Sequence, residues 1–282
     1  MTIPDLQGVA QTLLVPLACR ALESHRPDAI IHDPRAVELY NALGGSRDFL
    51  MGMSGHDLFA SVMRVRQFDA YARSFLDRNP GGLVVDIGCG LDTRFYRLDD
   101  GQMSWLGVDL PEVITLRRQW LPDIDRCTTI PTSMLDLTWL DEVARIDKPV
   151  IFLAEGVFPY FSTDEVQPLL TEMARRFPGG ELVFDAMSSL MRWIHNLTSS
   201  VLKRSGARLK WEAKSPSDLS AWGLRLLEHW SYFSKPEPRL GGTDLMRYIP
   251  PLANATYIVH YRLGEGIGEQ GGQLSSVSTK KC

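Results

Sequence analysis

The sequence predicts an α/β protein organised on a doubly wound, mostly parallel sheet of seven strands. Three observations lead there. The apolar run Leu83–Val84–Val85–Asp86–Ile87 passes straight into Gly88–Cys89–Gly90, the pattern of a strand buried on both faces that ends in a tight turn. From residue 81 onward, short Val/Ile-rich runs alternate with helix-like segments over short connections, which is the rhythm of βαβ units. Acidic residues recur where those runs end, at Asp109, just beyond the third run at Asp136, and at Glu155. That is the edge at which open α/β sheets bind ligands.

In chain order, residues 1–80 read as an N-terminal helical unit. Thr12 to Leu22 carries Leu13, Leu14, Leu17, Ala18, Ala21 and Leu22 at helical spacing. Asp33 before Pro34 is an N-cap followed by a proline suited to the first turn, so a helix is expected from Pro34 to Leu43, stopped by Gly44–Gly45. A longer helix is expected from near Asp57 to Leu76, ending before Asn79–Pro80–Gly81–Gly82. The strands expected next are Leu83–Ile87, Ser104–Asp109, Thr128–Pro131, Val150–Ala154 and Glu181–Asp185. Helices are expected between them near Asp92–Arg97, Glu112–Trp120, Leu137–Ile146 and Thr163–Phe177. Residues 81–263 then form the core, with an insertion at about 187–250 laid over the carboxyl ends of the strands. Its first part, 187–220, reads as helices. Leu224–Phe233 and Thr256–Leu263 read as the last two strands, joined by a loop around Pro236, Pro238, Gly241 and Gly242. The segment 264–282 is rich in Gly, Ser and Gln and poor in large apolar residues, so disorder is expected there.

Composition narrows the function classes. Hydrophobic residues make up 44% and charged residues 23%, and 30 basic against 34 acidic residues give a net charge of −4, with no basic excess of the kind nucleic-acid binding needs. The four cysteines, Cys19, Cys89, Cys127 and Cys282, lack metal-ligand spacing, so no metal is expected and the thiols read as small apolar fillers in a reducing compartment. No apolar run approaches the roughly 20 residues a membrane-spanning helix needs, and Met1–Thr2–Ile3–Pro4–Asp5 is not the start of a secretory signal. A cytoplasmic protein without membrane or nucleic-acid partners is expected; the oligomeric state is not legible.

The chemistry gathers on the strand ends. Gly88 and Gly90 let the backbone pass close beneath a ligand. Asp109 lies 21 positions after Gly88, where a carboxylate accepts hydrogen bonds from ribose hydroxyls. Asp136 is placed to meet an adenine amino group, and Glu155 closes the fourth strand. Further on, His195 is the candidate general base, Tyr160 is placed to contact a second substrate and Arg192 to pair with a carboxylate. Met187, Met191, Trp193, Leu197 and Trp211 are candidates for the wall of an apolar pocket.

The motifs resemble those of a known family. Val84–Leu98, Gly107–Val113 (Gly-Val-Asp-Leu-Pro-Glu-Val) and Leu153–Phe161 (Leu-Ala-Glu-Gly-Val-Phe-Pro-Tyr-Phe) are similar to the glycine, second-strand and fourth-strand motifs of the leucine carboxyl methyltransferase family. Ala21–Pro34 and Arg64–Asp69 are similar to its upstream signatures, and the likeness is good over about residues 10–190. The resemblance implies a Rossmann-like class I fold with an antiparallel last strand and S-adenosylmethionine as cofactor. It implies Gly88 and Gly90, with Asp86 beside them, under the methionine part, and Asp109 and Leu110 at the ribose. Asp136 and the Leu137 backbone would lie at the adenine, Arg64 at the cofactor's carboxylate and Glu155 near its amino-acid end. Members with this shorter form resemble O-methyltransferases of polyketides and other small secondary metabolites, so the expected acceptor is a carboxylate or phenolic hydroxyl of a small, largely apolar molecule. Three alternatives stand beside this reading: a methyltransferase of protein C-terminal carboxylates, an NAD(P)-dependent oxidoreductase, and a non-catalytic nucleotide-binding protein. Against the oxidoreductase, Thr93 stands where the third glycine of Gly-x-Gly-x-x-Gly would fall.

Overall fold

In the computed structural model, residues 13–46, 50–211 and 216–264 are described. Thr12, most of the 264–282 tail and Cys282 lie outside the described residues. The first strand, β1 (Leu83–Ile87), is buried along its whole length, as its Val/Ile run predicts. The other strands are β2 (Ser104–Asp109), β3 (Cys127–Pro131), β4 (Val150–Ala154), β5 (Glu181–Met187), β6 (Leu224–Ser231) and β7 (Thr256–Leu263). They form one seven-stranded sheet in the order β3-β2-β1-β4-β5-β7-β6. β1 to β5 pair in parallel, whereas β7 runs antiparallel to both β5 and β6. The strand order reverses between β1 and β4, which opens a crevice at the carboxyl end of β1.

Alternation along the strands sends residues to two helix layers. Leu83, Val85 and Ile87 face the helices α6 (Trp139–Arg145) and α7 (Thr163–Arg176), packing with Trp139, Leu140, Val166 and Leu170. Val84 faces the other way, with Ile151 and Val183, onto Phe68, Tyr71 and Phe75 of α3 (Gly55–Arg78) and Phe95 of α4 (Arg94–Leu98). The helices α1 (Leu14–Ser24) and α2 (Pro34–Ala42) cover the amino-terminal half of α3, meeting it at Val62 and Val65. Between β2 and β3 runs α5 (Pro111–Trp120).

Caps set the boundaries. Asp33 accepts the Ala36 N–H and caps α2, as the Asp-Pro pair predicts. α3 begins two residues before the expected Asp57, because Ser54 is its N-cap: Asp57 N–H donates to Ser54 Oγ at 3.2 Å, and the Asp57 carboxylate accepts the Ser54 N–H at 2.8 Å. The insertion contains α8 (Ser189–Thr198) and α9 (Ser200–Ser205), the latter stopped by Gly206 at φ 67°. Where a plain loop was expected around Pro238 and Gly241, successive 3₁₀ turns run from Pro238 to Tyr248, broken at Gly241 with φ 53°. Cys19, Cys89 and Cys127 are buried free thiols. Among the described residues no helix is long and apolar enough to cross a membrane.

Candidate active site

The turn after β1 is held from three sides. Gly88 takes φ 69°, and a Cβ there would sit 2.4 Å from Val157 Cγ2, so only glycine lets the turn lie against the segment after β4. Asp109, at the end of β2, accepts the Gly90 N–H at 2.7 Å through Oδ2 and the Leu110 N–H at 2.8 Å through Oδ1. Each carboxylate oxygen thereby keeps a lone pair for a ligand. The third support is Arg117 of α5, 1% exposed, whose Nη1 donates to the carbonyls of Gly90 (2.9 Å) and Asp92 (2.7 Å), and more weakly to Cys89 (3.4 Å).

Beneath the turn runs a buried network of charges. Asp33 accepts from Arg20 Nε (3.2 Å), Arg97 Nη1 and Thr93 Oγ1 (both 2.5 Å), which ties α1 and α2 to α4. Asp69 of α3 accepts from Arg94 and Arg97. Arg94, fully buried, also pairs with Asp92 and with Glu155, and Glu155 accepts from Arg64 Nε at 3.0 Å. Arg64 Nη1 donates to Asp185 at the end of β5 (3.2 Å), and Asp185 in turn accepts the Gly156 N–H. Burial pushes the Asp185 carboxyl up, with Arg64 opposing the shift.

Arg20, Arg64, Asp92, Glu155 and Asp185 of this network border one cavity of about 1020 Å³ that opens along the carboxyl edge of the sheet. Asp86, Gly88, Gly90, Asp109, Leu110, Glu155 and Arg64 line it, as do Tyr160 and His195. Asp86 is 2% exposed and its Oδ2 has no hydrogen-bond partner among the described residues. Burial, reinforced by Asp92, drives its carboxyl well up. Burial likewise raises Asp109 against the two N–H groups it accepts. The His195 imidazole is shifted down by burial, with Asp57 opposing, and is therefore neutral at pH 7.

Several residues expected at the site lie off the cavity wall. Asp136 and Leu137 do not line the cavity: the exposed Asp136 carboxylate turns back to accept the N–H (3.2 Å) and Oγ1–H (2.8 Å) of Thr138, and Leu137 packs against the sheet. Ser133 and Met134 of the same loop reach the cavity in their place. Arg192 is off the cavity wall too, because the face that α8 turns inward carries Met191, His195 and Thr198 at helical spacing, and Arg192 falls beside that stripe. For the same reason Trp193 and Leu197 are exposed, at 60% and 54%. Trp211 is buried in the main core against Phe158 and Phe184 instead of lining the pocket, whereas Met187 and Met191 do line it. Sequence reasoning missed Asp185, Tyr232, Phe233, His56 and Asp57, all on the wall, and the buried arginines. For Arg117 a signal existed: it stands four residues after the apolar Val113, on the inward stripe of α5.

The sheet order and the ligand edge define a class I methyltransferase fold. A Thermobifida fusca protein whose crystal structure was solved as a candidate methyltransferase shares the fold at TM-score 0.56, with 15% identity over 91% of this chain and 95% of that one. A DUF574 family protein from Streptomyces avermitilis does so at TM-score 0.55, with 15% identity over 88% and 96%. The sequence goes further. The model of the leucine carboxyl methyltransferase family matches residues 14–174, and the chain belongs to that family. It is 32% identical to the tetracenomycin polyketide synthesis O-methyltransferase of Streptomyces glaucescens, over 91% of this chain and 97% of that one. It is 30% identical to an S-adenosyl-L-methionine-dependent methyltransferase of Gibberella zeae, over 76% and 78%. The protein is a methyltransferase and S-adenosylmethionine is its cofactor.

The cavity fits that group. A nucleoside carrying an amino-acid zwitterion needs acceptors for ribose hydroxyls and an ammonium, and a cation for a carboxylate. Asp109 has the free lone pairs, Asp86 Oδ2 is an unsatisfied buried acceptor, and Arg64 and Glu155 stand together at the wall. Among the described residues no cluster of three or more His, Cys, Asp or Glu could hold a metal.

Proposed function

We propose that the protein is an O-methyltransferase acting on a carboxylate or phenolic hydroxyl of a small, largely apolar, polyketide-like metabolite. The observation that carries this reading is the composition of the wall beyond Glu155. There Met53, Ala60, Met187, Met191, Leu202 and Phe233 bound a space continuous with the cofactor end, suited to an apolar ring system rather than an extended charged chain. The Streptomyces glaucescens relative, matched over nearly its whole length, is by its name an O-methyltransferase of polyketide synthesis.

The bound cofactor supplies an electrophilic methyl group on a sulfonium. The chain's own residues bind and orient. Asp109, with Leu110, holds the ribose over Gly88 and Gly90, and Arg64 and Glu155 hold the amino-acid end. The apolar wall excludes water and aligns the acceptor, which supplies most of what the reaction requires. Tyr160 contacts the acceptor. His195, kept neutral by burial, takes the proton of a hydroxyl acceptor; a carboxylate acceptor is already ionised and needs only positioning. Arg192 has no part in this account, and neither do the Asp136 and Leu137 side chains.

The test is a methylation screen with labelled S-adenosylmethionine against two panels: polycyclic aromatic phenols and acids, and peptides ending in a free leucine carboxylate. A gained methyl on a polycyclic compound is the expected result. Methylation of the peptides alone would contradict it.

A further inference from the structure

One buried polar group in the cavity has no partner in the network above. Tyr232 follows directly on β6, at the carboxyl edge of the sheet, and is 8% exposed. Its ring is wedged among Phe59 and Met63 of α3 and Leu240, with Trp230 at 4.9 Å between ring centroids. Its hydroxyl makes no hydrogen bond among the described residues, yet the residue lines the cavity. Buried hydroxyls are almost always hydrogen-bonded, so an unpaired one facing a ligand cavity has its partner in the ligand.

Its surroundings show which part of the ligand. The charged groups that act on Tyr232 are Arg64, Asp185 and Glu155, the cluster that borders the amino-acid end of the cofactor; neither His195 nor Asp57, from the acceptor side, is among them. Arg64 is anchored beside Tyr232, with Nε donating to Glu155 and one Nη1 hydrogen to Asp185. Both Nη2 hydrogens and the second Nη1 hydrogen remain to meet a carboxylate, whose two oxygens offer about four acceptor sites. A carboxylate held by Arg64 has acceptor sites to spare for a further donor beside it, and the Tyr232 hydroxyl is the unpaired one there. Burial drives the Tyr232 phenol up, so it keeps its proton across the physiological range and acts as a donor.

We propose that Tyr232 is a further cofactor-binding residue, its hydroxyl donating a hydrogen bond to the carboxylate of the bound cofactor's amino-acid end alongside Arg64. The assignment rests on the reading of the Arg64–Glu155 cluster as the amino-acid end of the site.

The test is calorimetric and needs no methyl acceptor. The full chain is titrated with S-adenosylmethionine and with decarboxylated S-adenosylmethionine, which lacks only the carboxylate. Tyr232→Phe keeps the ring that packs on Phe59 and Leu240. Wild-type protein is expected to prefer S-adenosylmethionine by a hundredfold or more. In Tyr232→Phe that preference should shrink by roughly tenfold, with the affinity for the decarboxylated compound unchanged. A preference that stays at its wild-type size in the variant overturns the proposal, and so does an equal loss of both affinities, which marks a packing role. The wild-type titrations bear on it even if the variant does not fold. If wild-type protein binds both compounds equally, no carboxylate is recognised and the proposal falls. Absence of any S-adenosylmethionine binding would instead sink the cofactor assignment itself.

Discussion

Replacing Arg117 with methionine keeps the aliphatic stem that packs under the turn after β1 and removes only the guanidinium. The loss is two good charge-assisted bonds, to the carbonyls of Gly90 at 2.9 Å and Asp92 at 2.7 Å, and one weak bond to Cys89. A bond to a charged donor contributes about 1.5–3 kcal/mol, and burying the guanidinium gives part of that back, so the net destabilisation is about 2–4 kcal/mol. For a chain of this length, about 1 kcal/mol moves the midpoint by roughly 2 °C, so thermal unfolding should fall by about 4–8 °C. Because these carbonyls shape the turn that runs under the ligand, S-adenosylmethionine affinity should fall by about tenfold or more. Arg118 is the matched control. It stands next in α5, with its side chain 43% exposed, and bonds Asp123 and Thr129 away from the turn, so Arg118→Met should cost less than Arg117→Met and leave cofactor affinity unchanged. Differential scanning calorimetry and titration calorimetry on both variants decide the matter. If Arg117→Met melts with the wild type and binds as tightly, the turn is not held by this residue.

Other consequences follow from the charge network and from the acceptor end. Asp33→Asn removes the carboxylate that serves Arg20, Arg97, Thr93 and the cap of α2, leaving buried arginines undercompensated; a loss of about 3–5 kcal/mol is expected, seen as a midpoint lowered by roughly 6–10 °C, whereas an unchanged midpoint would show the pairs to be dispensable. With a phenolic acceptor, kcat/KM should climb as pH rises through a value below the ordinary histidine 6.5 and then level off, because the folded protein favours neutral His195; His195→Gln should lower the rate by about a hundredfold or more and abolish that step, and a variant that retains both rate and profile would remove His195 from the chemistry.

What was legible in the sequence, and what was not, divides along physical lines. β1 and β4 could be placed to the residue because their apolar runs, buried on both faces, are bounded by Gly and Pro on one side and a glycine turn on the other. Asp109 could be found because the distance from the glycine turn to the end of the next parallel strand is nearly fixed by one βαβ turn of chain. That Asp136 bonds to Thr138 on its own loop was not legible, because nothing in residue type distinguishes an aspartate that satisfies itself locally from one that reaches a ligand. His195 and Arg192 stood equal in the sequence, and only the phase of α8 separates them. Arg94 and Arg97 were invisible, and Arg117 was marked only by its place on the inward stripe of α5, because an arginine in a helix is solvated by default and burial becomes tolerable only where carboxylates and carbonyls from distant segments converge. Asp33 was legible as a cap, but its second task as the acceptor between α1 and α4 depends on contacts about 60 residues away in sequence.

The central claim is that this cavity holds S-adenosylmethionine by its ribose at Asp109. Titration calorimetry of wild-type protein and Asp109→Ala with S-adenosylmethionine and with NADPH tests it in one set of measurements. Wild-type protein should bind S-adenosylmethionine well below millimolar and show no heat with NADPH. The variant, losing two charge-assisted hydrogen bonds, should bind at least about a hundredfold more weakly. Binding of NADPH in preference, or S-adenosylmethionine affinity indifferent to Asp109→Ala, would contradict the account.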